Sequence, residues 1–290
     1  MSSLDGVKSR FVNVDGIRTH YLEAGDGPVV VLLHSGEFGA AAEISWEFNI
    51  GPLSQHFRVI APDWLGFGYT DKIFDFSSGN AAGAFARRLE HMRRFLEVIS
   101  IDEADFVGNS MSAGLLLEMT TREKPLLPVR RQVIISGGGA ATVNDARRAV
   151  LEYDCTPEAM KRILQAIFVE EALIDNEDYI KRRVEMSMVP GAWQCSAAAR
   201  FRMPGEDGTS AAPANRLASA PLENIRVPTL LIAGEKDRLR PLEDMQDFHR
   251  RIPDSKLIVL PNTGHCSNIE RPDEVNSAVI GFFSEPAPAE

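Results

Sequence analysis

The residues with the clearest chemical potential lie around Ser110. Residues 104–107 predict a short buried strand, and residues 115–119 predict a helix shortly afterwards. A serine on the sharp turn between a strand and a helix presents its hydroxyl group clear of the sheet, close to the positive end of the helix dipole. Small residues must flank such a turn because its two elements approach closely, and Gly108 and Ser112 occupy these positions, although glycine is usual at the second. The pattern predicts a nucleophilic serine.

A serine hydroxyl is a weak nucleophile at neutral pH and needs a histidine base that a carboxylate orients. Residues 228–233 predict a core strand, and Asp237 lies in the loop that follows it. Residues 256–260 predict another strand, and His265 lies in the loop after that one. Parallel sheets collect their chemistry just beyond the carboxyl ends of their strands. The order serine, acid, histidine therefore predicts a catalytic triad of Ser110, Asp237 and His265.

A hydrolase also needs donors for the negative charge that develops on the attacked carbonyl oxygen. Residues 29–33 are apolar and rich in valine, which predicts a buried strand that ends at His34. We expect the backbone N–H of Gly36 in the following loop to pair with the N–H of Met111 as an oxyanion hole. Loss of one such donor costs about 3 kcal/mol of transition-state stabilisation.

Two further titratable residues compete for these roles. Glu235 could replace Asp237 as the acid, but it lies closer to the end of its strand, where we expect a residue on the rim of the site. His34 could act as a base, but its position directly after a buried strand favours a structural role in bracing the loop.

These motifs resemble those of the α/β-hydrolase-fold enzymes, and the resemblance extends from end to end of the chain. Within that superfamily the chain is most similar to the meta-cleavage-product hydrolases, which cleave a carbon–carbon bond in ring-opened aromatic compounds. The superfamily resemblance is carried by residues 34–36, 61–68, 108–112, 234–241 and 264–265. The narrower resemblance depends on residues 108–111 and on residues 157–186, which resemble the lid of those enzymes in length and pattern.

The chain departs from those hydrolases in the loop after the first histidine and in the lid. They usually carry a glycine-rich loop where this chain has Ser35 and Glu37. They also carry a substrate-binding arginine in the lid, and residues 186–189 contain none. Arg182 or Arg183 could replace it, but we expect charged side chains on a helix to be solvated.

We expect substrate contacts from residues beside the triad and from a large side chain of the predicted cap, which would suit an apolar substrate tail. The residues that we expect in this role are Ser35, Glu37, Asn109, Trp193 and Cys266. Cys266 stands where those enzymes usually have a tryptophan, directly after the histidine. The sequence leaves two alternatives open for it with equal weight, a thiol that lines the pocket and a buried structural thiol.

The apolar runs predict the α/β-hydrolase fold, with a mostly parallel central sheet, helices on both faces and a helical cap. Two runs around Asp15-Gly16 predict an antiparallel hairpin, and the later runs alternate with helical stretches, which is typical of a parallel sheet covered on both faces. The predicted strands are residues 10–13, 19–23, 29–33, 57–61, 104–107, 132–136, 228–233 and 256–260.

The gap between the sixth and seventh of these strands is too long for one crossover. Within it, residues 157–174 and 177–188 have helical periodicity. We therefore divide the chain into a first core segment, a helical cap and a second core segment. The three segments are residues 1–144, 145–207 and 208–290, with residues 209–221 as the linker back to the core.

Composition agrees with an enzyme that acts on a small molecule. The formal net charge of -10 argues against nucleic acid or an anionic membrane as a partner, because both attract positive surfaces. The three cysteines suit a reducing compartment, and no Cys/His cluster has the spacing of a metal site. Neither a secretory signal nor a membrane-spanning apolar run is evident. We expect a cytoplasmic protein with a small-molecule substrate, water as its cosubstrate, no cofactor and no metal, and leave open a homo-oligomer.

The predicted function is hydrolysis by a Ser-His-Asp triad. The resemblance favours cleavage of a carbon–carbon bond next to a carbonyl in a small ring-opened substrate. The alternative is a carboxylesterase or lactonase that acts on a small apolar ester. A ligand receptor or a non-hydrolytic enzyme on the same fold is less favoured, because a complete triad argues against a pure receptor. The sequence does not name the substrate, since the pocket depends on how the side chains of the cap point.

Overall fold

The computed structural model describes residues 5–74, 81–138, 144–198 and 220–285, and its centre is an eight-stranded sheet. The strands are β1 (Lys8–Val14), β2 (Ile17–Ala24), β3 (Val29–Leu33), β4 (Arg58–Pro62), β5 (Ala104–Asn109), β6 (Val129–Ile135), β7 (Thr229–Gly234) and β8 (Lys256–Leu260). Their spatial order is β1-β2-β4-β3-β5-β6-β7-β8. β2 pairs antiparallel with β1 and β4, and all later pairs are parallel. The predicted fold class is confirmed.

The first two strands form the predicted hairpin. Its turn places Asp15 at φ 52° and Gly16 at φ 90°, the pair of positive φ values that a two-residue turn of type I′ requires. The register pairs Val14 with Ile17, so both strands extend further toward the turn than the sequence pattern predicted.

Helices cover both faces of the sheet, as the parallel strands require. They are α1 (Ala42–Trp46), α2 (Ile50–Ser54), α3 (Ala81–Val98), α4 (Met111–Thr120), α5 (Asp145–Leu151), α6 (Pro157–Ile167), α7 (Glu171–Ile174), α8 (Glu177–Ser187), α9 (Ala192–Ala198), α10 (Leu242–Arg251), α11 (Ser267–Glu270) and α12 (Pro272–Ser284). Side chains of α3, α4 and α10 pack on one face, and those of α1, α2 and α12 pack on the other. Strand β3 is apolar along its length, and β5 and β7 are buried at every residue, because helices cover both of their faces.

The helices between β6 and β7 pack over the segments that follow β3, β7 and β8. Met160 and Tyr153 of this segment share an apolar cluster with Phe38, Leu239 and Ile269, which lie beyond the carboxyl ends of β3, β7 and β8. Helix α5 begins at Asp145, where we place the start of the cap. The predicted end of the cap at residue 207 and most of the predicted linker lie outside the described residues.

Residues 157–174, for which the sequence indicates helical periodicity, form two helices and not one. α6 ends at Ile167, and α7 begins at Glu171. Between them the backbone N–H groups of Val169 and Glu170 donate to the carboxylate of Glu270. A carboxylate from another element thus replaces the helical acceptors, which periodicity cannot reveal. The second predicted helix, 177–188, is confirmed to within one residue by α8.

Among the helices of residues 5–74, 81–138, 144–198 and 220–285, none has both the length and the apolar character that a membrane span requires.

Candidate active site

Ser110 lies on a tight turn between β5 and α4. Its backbone adopts φ 56° and ψ −111°, a left-handed conformation that an L-residue holds only when the surrounding structure imposes it, at a cost of about 1–3 kcal/mol. Gly108 shows what imposes it, since a Cβ atom there would lie 2.8 Å from the backbone nitrogen of Ala113. The strand and the helix therefore approach too closely for any side chain at residue 108, and the serine projects from the apex of the turn.

Ser112 explains the departure from glycine at the end of this motif. Its hydroxyl donates to the carbonyl oxygen of His34 and accepts from Nε1 of Trp64 at 2.9 Å. The side chain is fully buried, so both contacts lie away from water. A serine therefore fits beside the helix and also ties the start of α4 to the loop after β3.

His34 has the structural role that the sequence predicted. Its Nδ1 donates to the carbonyl oxygen of Ser35 at 2.7 Å, and its Nε2 accepts from the backbone N–H of Trp64 at 3.1 Å. Both ring nitrogens are engaged with backbone groups, and burial lowers the pKa of His34. A neutral imidazole therefore fixes the loop after β3.

His265 connects Ser110 to Asp237. The hydroxyl of Ser110 donates to Nε2 of His265 at 2.6 Å, and Nδ1 of His265 donates to Oδ2 of Asp237 at 2.7 Å. The side chains of His265 and Asp237 are only 4% and 2% exposed. The three side chains come from the loops after β5, β7 and β8, which the parallel sheet brings to one edge. The structure thus brings together the three residues that the sequence predicted as a triad.

The carboxylate at this site is Asp237, and Glu235 lies elsewhere. Oδ1 of Asp237 accepts from the backbone N–H groups of Leu239 at 2.8 Å and Arg240 at 2.9 Å, which leaves Oδ2 for the imidazole. Glu235 is exposed, and its carboxylate accepts from the backbone N–H of Asn262 at 2.9 Å. The loop therefore orients one acid toward the histidine and the other toward the surface.

A second serine, histidine and aspartate make the same pair of contacts elsewhere in the chain. Ser9 donates to Nε2 of His20 at 2.9 Å, and Nδ1 of His20 donates to Asp63 at 2.7 Å. Ser9, however, lies on the regular edge strand β1, without a strained turn or a helix N-terminus. The contacts alone therefore do not define a hydrolytic site, and the turn at Ser110 distinguishes the first group from the second.

The two residues predicted to form the oxyanion hole are neighbours. A Cβ atom at Gly36 would lie 2.8 Å from Sδ and 3.1 Å from Cβ of Met111. Gly36 follows β3, Met111 opens α4 directly after Ser110, and both residues are half-buried. The missing side chain at residue 36 lets the loop approach the start of the helix.

The sequence predicts a solvated side chain at Arg183, and this prediction is wrong. The side chain is fully buried against the loop after β3. Its Nη2 donates to Oε1 of Glu37 at 2.9 Å, and its Nη1 donates to the hydroxyl of Tyr179 at 3.3 Å. Ser35 donates to the same oxygen of Glu37 at 2.9 Å. The unusual loop residues Ser35 and Glu37 thus match a buried arginine, and Tyr179, four residues earlier on the same helix face, was the available signal.

The buried ion pair changes the pKa values of its members. Burial alone would raise the pKa of Glu37, but Arg183 and Ser35 outweigh it and hold this pKa below its usual range. Burial opposes the charge of Arg183, but Tyr179 and Glu37 hold its pKa above the ordinary value. Burial raises the pKa of Tyr179 to about 12. Arg183 and Glu37 are therefore both charged at neutral pH, and Tyr179 is neutral. Arg182, by contrast, is partly exposed and pairs with Glu47 at 2.9 Å.

Asn109 and Cys266 lie directly behind the histidine. The amide of Asn109 donates to the backbone carbonyl oxygen of His265 at 3.3 Å, and its Oδ1 accepts from the thiol of Cys266 at 3.6 Å. Both side chains are buried, Cys266 completely, and burial raises the pKa of its thiol well above the ordinary value. Of the two alternatives for Cys266, the structure has the buried thiol.

Trp193, the lid residue predicted to contact substrate, lies against the loop after β3. Its indole N–H donates to the carbonyl oxygen of Tyr153 at 3.0 Å, and its ring stacks on Phe38 with 6.2 Å between centroids. Phe38 is two residues from Gly36, so Trp193 is connected to the candidate oxyanion loop through one aromatic ring. The indole is half-buried.

Comparison with known proteins assigns the family. A family model described as the alpha/beta hydrolase family matches residues 30–278. The chain belongs to the alpha/beta hydrolase family. It is 30% identical over 280 residues to a 2-hydroxy-6-oxo-6-(2'-aminophenyl)hexa-2,4-dienoic acid hydrolase from Metapseudomonas resinovorans, an alignment that covers 96% of this chain and 91% of that enzyme.

Two further similarities extend over nearly the whole of this hydrolase. It is 30% identical to a 2-hydroxymuconate semialdehyde hydrolase from Pseudomonas sp. (strain CF600), with 93% of this chain and 92% of that enzyme covered. The crystal structure of a meta-cleavage product hydrolase from Pseudomonas fluorescens IP01 superposes with a TM-score of 0.80 at 26% identity, with 94% of this chain and 97% of that chain covered. The resemblance to the meta-cleavage-product hydrolases is thus confirmed.

The burial of the three cysteines predicts their reactivity. Cys155 is half-buried, whereas Cys195 and Cys266 are buried, so a bulky disulfide reagent should modify Cys155 alone in the folded protein. We expect about one thiol equivalent before unfolding in guanidinium and three after it, by absorbance. The variant Cys155→Ala should remove the native signal. The buried position of Cys266 would be contradicted if the folded wild-type protein reacted at two thiols, if labelling abolished its activity, and if the second equivalent disappeared in Cys266→Ala.

Proposed function

We propose that this hydrolase cleaves a carbon–carbon bond next to a carbonyl group in a small, ring-opened substrate of the kind that aromatic rings yield. The observation that carries the proposal is the hydrogen-bonded series Ser110–His265–Asp237 at a strained strand–helix turn. The choice of substrate class depends on the relatives, whose names describe hydrolases of dienoic acids and of a muconate semialdehyde.

In the proposed mechanism Ser110 is the nucleophile. Nε2 of His265 accepts the hydroxyl proton as Oγ attacks the carbonyl carbon, and it later returns that proton to the leaving group. Asp237 holds the imidazole with Nδ1–H toward the carboxylate and stabilises the imidazolium while it exists. Water then attacks the acyl-enzyme with the same base, which restores the serine.

The oxyanion hole in this proposal consists of the backbone N–H groups of Gly36 and Met111. Support comes from the contact between these two residues, which lie beside the candidate nucleophile. The N-terminus of α4 adds a positive dipole end at the same point. Because both donors belong to fixed backbone, they require no reorganisation as charge develops on the carbonyl oxygen.

Carbon–carbon cleavage needs one step that ester hydrolysis lacks. A carbon leaving group is poor, so a dienol substrate must first tautomerise. The enol O–H gives up its proton and a carbon of the dienol takes one up, which yields the keto form that can accept the departing electrons. His265 lies where it could move that proton without the serine hydroxyl. An alkoxide or phenoxide, by contrast, leaves directly after attack.

The alternative is hydrolysis of a small apolar ester or lactone, and the Arg183–Glu37 pair favours it. The relatives named for dienoic acids act on substrates with a carboxylate. In this chain the buried guanidinium beside the candidate oxyanion loop already has a carboxylate partner at 2.9 Å. A pair with no net charge attracts a second carboxylate far less than a free cation would.

We further propose that residues 145–207 form a cap over this site, between core segments 1–144 and 208–290. The apolar cluster that α5, α6 and α8 share with the loops after β3, β7 and β8 supports this division. Trp193 is the proposed substrate contact from the cap. Ser35, Glu37, Asn109 and Cys266 stay predictions as substrate contacts, and in the structure their side chains are buried. The substrate is a small molecule, with water as the second reactant.

Single substitutions in the triad test the proposed roles. Ser110→Ala removes the nucleophile and His265→Ala removes the base, so each should lower kcat by roughly 10⁵-fold or more. Asp237→Asn leaves the imidazole in the wrong tautomer and should lower kcat by about 10⁴-fold. Steady-state kinetics on the best substrate of a panel gives these values. The matched control is Ser9→Ala, which removes the serine of the second Ser-His-Asp group and should leave kcat unchanged. Near-normal kcat in Asp237→Asn would remove it from the triad, and Glu235 would be tested next.

A ring-opened dienol distinguishes carbon–carbon cleavage from ester hydrolysis. Mixed with Ser110→Ala in a stopped-flow spectrophotometer, it should undergo a fast spectral change on binding and give no product, because His265 moves the proton without the serine. The wild-type enzyme should favour vinylogous 1,5-diketones over aryl esters in kcat/KM. If the wild type cleaves aryl esters well and neither protein perturbs the dienol, the esterase alternative replaces the carbon–carbon proposal.

A further inference from the structure

Glu270, at the end of α11, connects two separate elements through one buried carboxylate. Its Oε2 accepts from the backbone N–H of Gly264 at 2.6 Å. Its Oε1 accepts from the backbone N–H groups of Val169 at 2.6 Å and Glu170 at 2.9 Å. The first donor belongs to the loop that carries His265, and the other two belong to the turn that ends α6. Each oxygen of the carboxylate thus holds a different element.

The same two elements also touch each other directly. The backbone N–H of His265 donates to the carbonyl oxygen of Ile167, the last residue of α6, at 2.8 Å. A Cβ atom at Gly264 would lie 2.6 Å from that oxygen and 2.9 Å from Oε2 of Glu270. The end of α6 therefore lies against the backbone of the histidine itself. The Glu270 carboxylate accepts hydrogen bonds from the residues next to this contact on both elements.

All three hydrogen-bond partners of the Glu270 carboxylate are donors, which favours its ionised form. An amide has one acceptor oxygen and one NH₂ donor. A glutamine here would therefore place its NH₂ group against at least one backbone N–H, which would lose its acceptor. Burial raises the pKa of Glu270, while the three N–H groups and the neighbouring Arg271 act in the opposite direction. A buried charge with backbone donors on both sides is typical of a group that holds two elements in a fixed relation.

We propose that Glu270 is a positioning residue, which keeps the imidazole of His265 between Asp237 and Ser110 by tying the histidine loop to α6. The proposal rests on the proposed function, in which His265 is the base. It implies that the helical segment over the site is also part of the mechanism that orients the triad. Loosening this contact displaces the imidazole, and small displacements of a catalytic group are costly to rate.

The variant Glu270→Gln tests the proposal. The downfield proton resonance of Nδ1–H in His265 reports its bond to Asp237, and its loss in Asp237→Asn assigns it. In Glu270→Gln this resonance should shift or broaden, whereas that of His20, which bonds Asp63, should stay unchanged as an internal control. We expect kcat to fall roughly ten- to a hundredfold with KM within about twofold, because orientation is lost and not substrate binding.

Glu274→Gln is the matched control, since Glu274 is an exposed glutamate on the adjacent helix α12 and should change neither readout. If Glu270→Gln lowers the melting temperature but leaves kcat and the His265 resonance unchanged, Glu270 is merely structural and the proposal is wrong. If that variant does not fold, Glu270→Asp keeps the charge with a shorter reach, and an unchanged His265 resonance in it overturns the proposal. The resonance is read without substrate, so it decides the role of Glu270 even if the proposed reaction fails.

Discussion

The candidate active site depends on the close approach between β5 and α4. Because Gly108 has no side chain, the backbone of Ala113 comes within the space that a Cβ atom would fill, and Ser110 must take a left-handed conformation. That conformation directs the hydroxyl group toward His265 and places Met111 at the first turn of the helix, beside Gly36. One packing constraint therefore fixes the nucleophile and one wall of the candidate oxyanion hole together.

Buried polar contacts fix the loops around this turn in place. Ser112 and Trp64 fix the loop after β3, and the ion pair of Glu37 with Arg183 attaches the same loop to α8. On the opposite side, Asp237 orients the imidazole through its remaining oxygen. Breaking a buried ion pair by removing one partner typically costs about 3–5 kcal/mol, so these contacts constrain which loop residues the site accepts. The site is thus held from both the sheet and the helical segment above it.

Much of this could be predicted from the sequence, since the triad depends on local signals. Ser110, Asp237 and His265 each follow an apolar run, and a parallel sheet brings the ends of such runs together. Arg183 was missed because its burial depends on Glu37, more than 140 residues earlier, and periodicity carries no information about that partner. The break after Ile167 was missed for the same reason, because a distant carboxylate from Glu270 ends the helix. Polar contacts between residues far apart in the sequence could not be predicted from the periodicity of apolar residues.

In our proposal Ser110, and not Ser9 in the similar group of contacts, is an activated nucleophile. Covalent labelling with a fluorophosphonate, followed by peptide mass spectrometry, tests it directly. The serine oxygen attacks phosphorus, fluoride leaves, and the histidine takes up the hydroxyl proton. We expect one phosphonate adduct per chain, located on Ser110 and absent from His265→Ala. An adduct on Ser9, or an unlabelled Ser110 in the active enzyme, would contradict it.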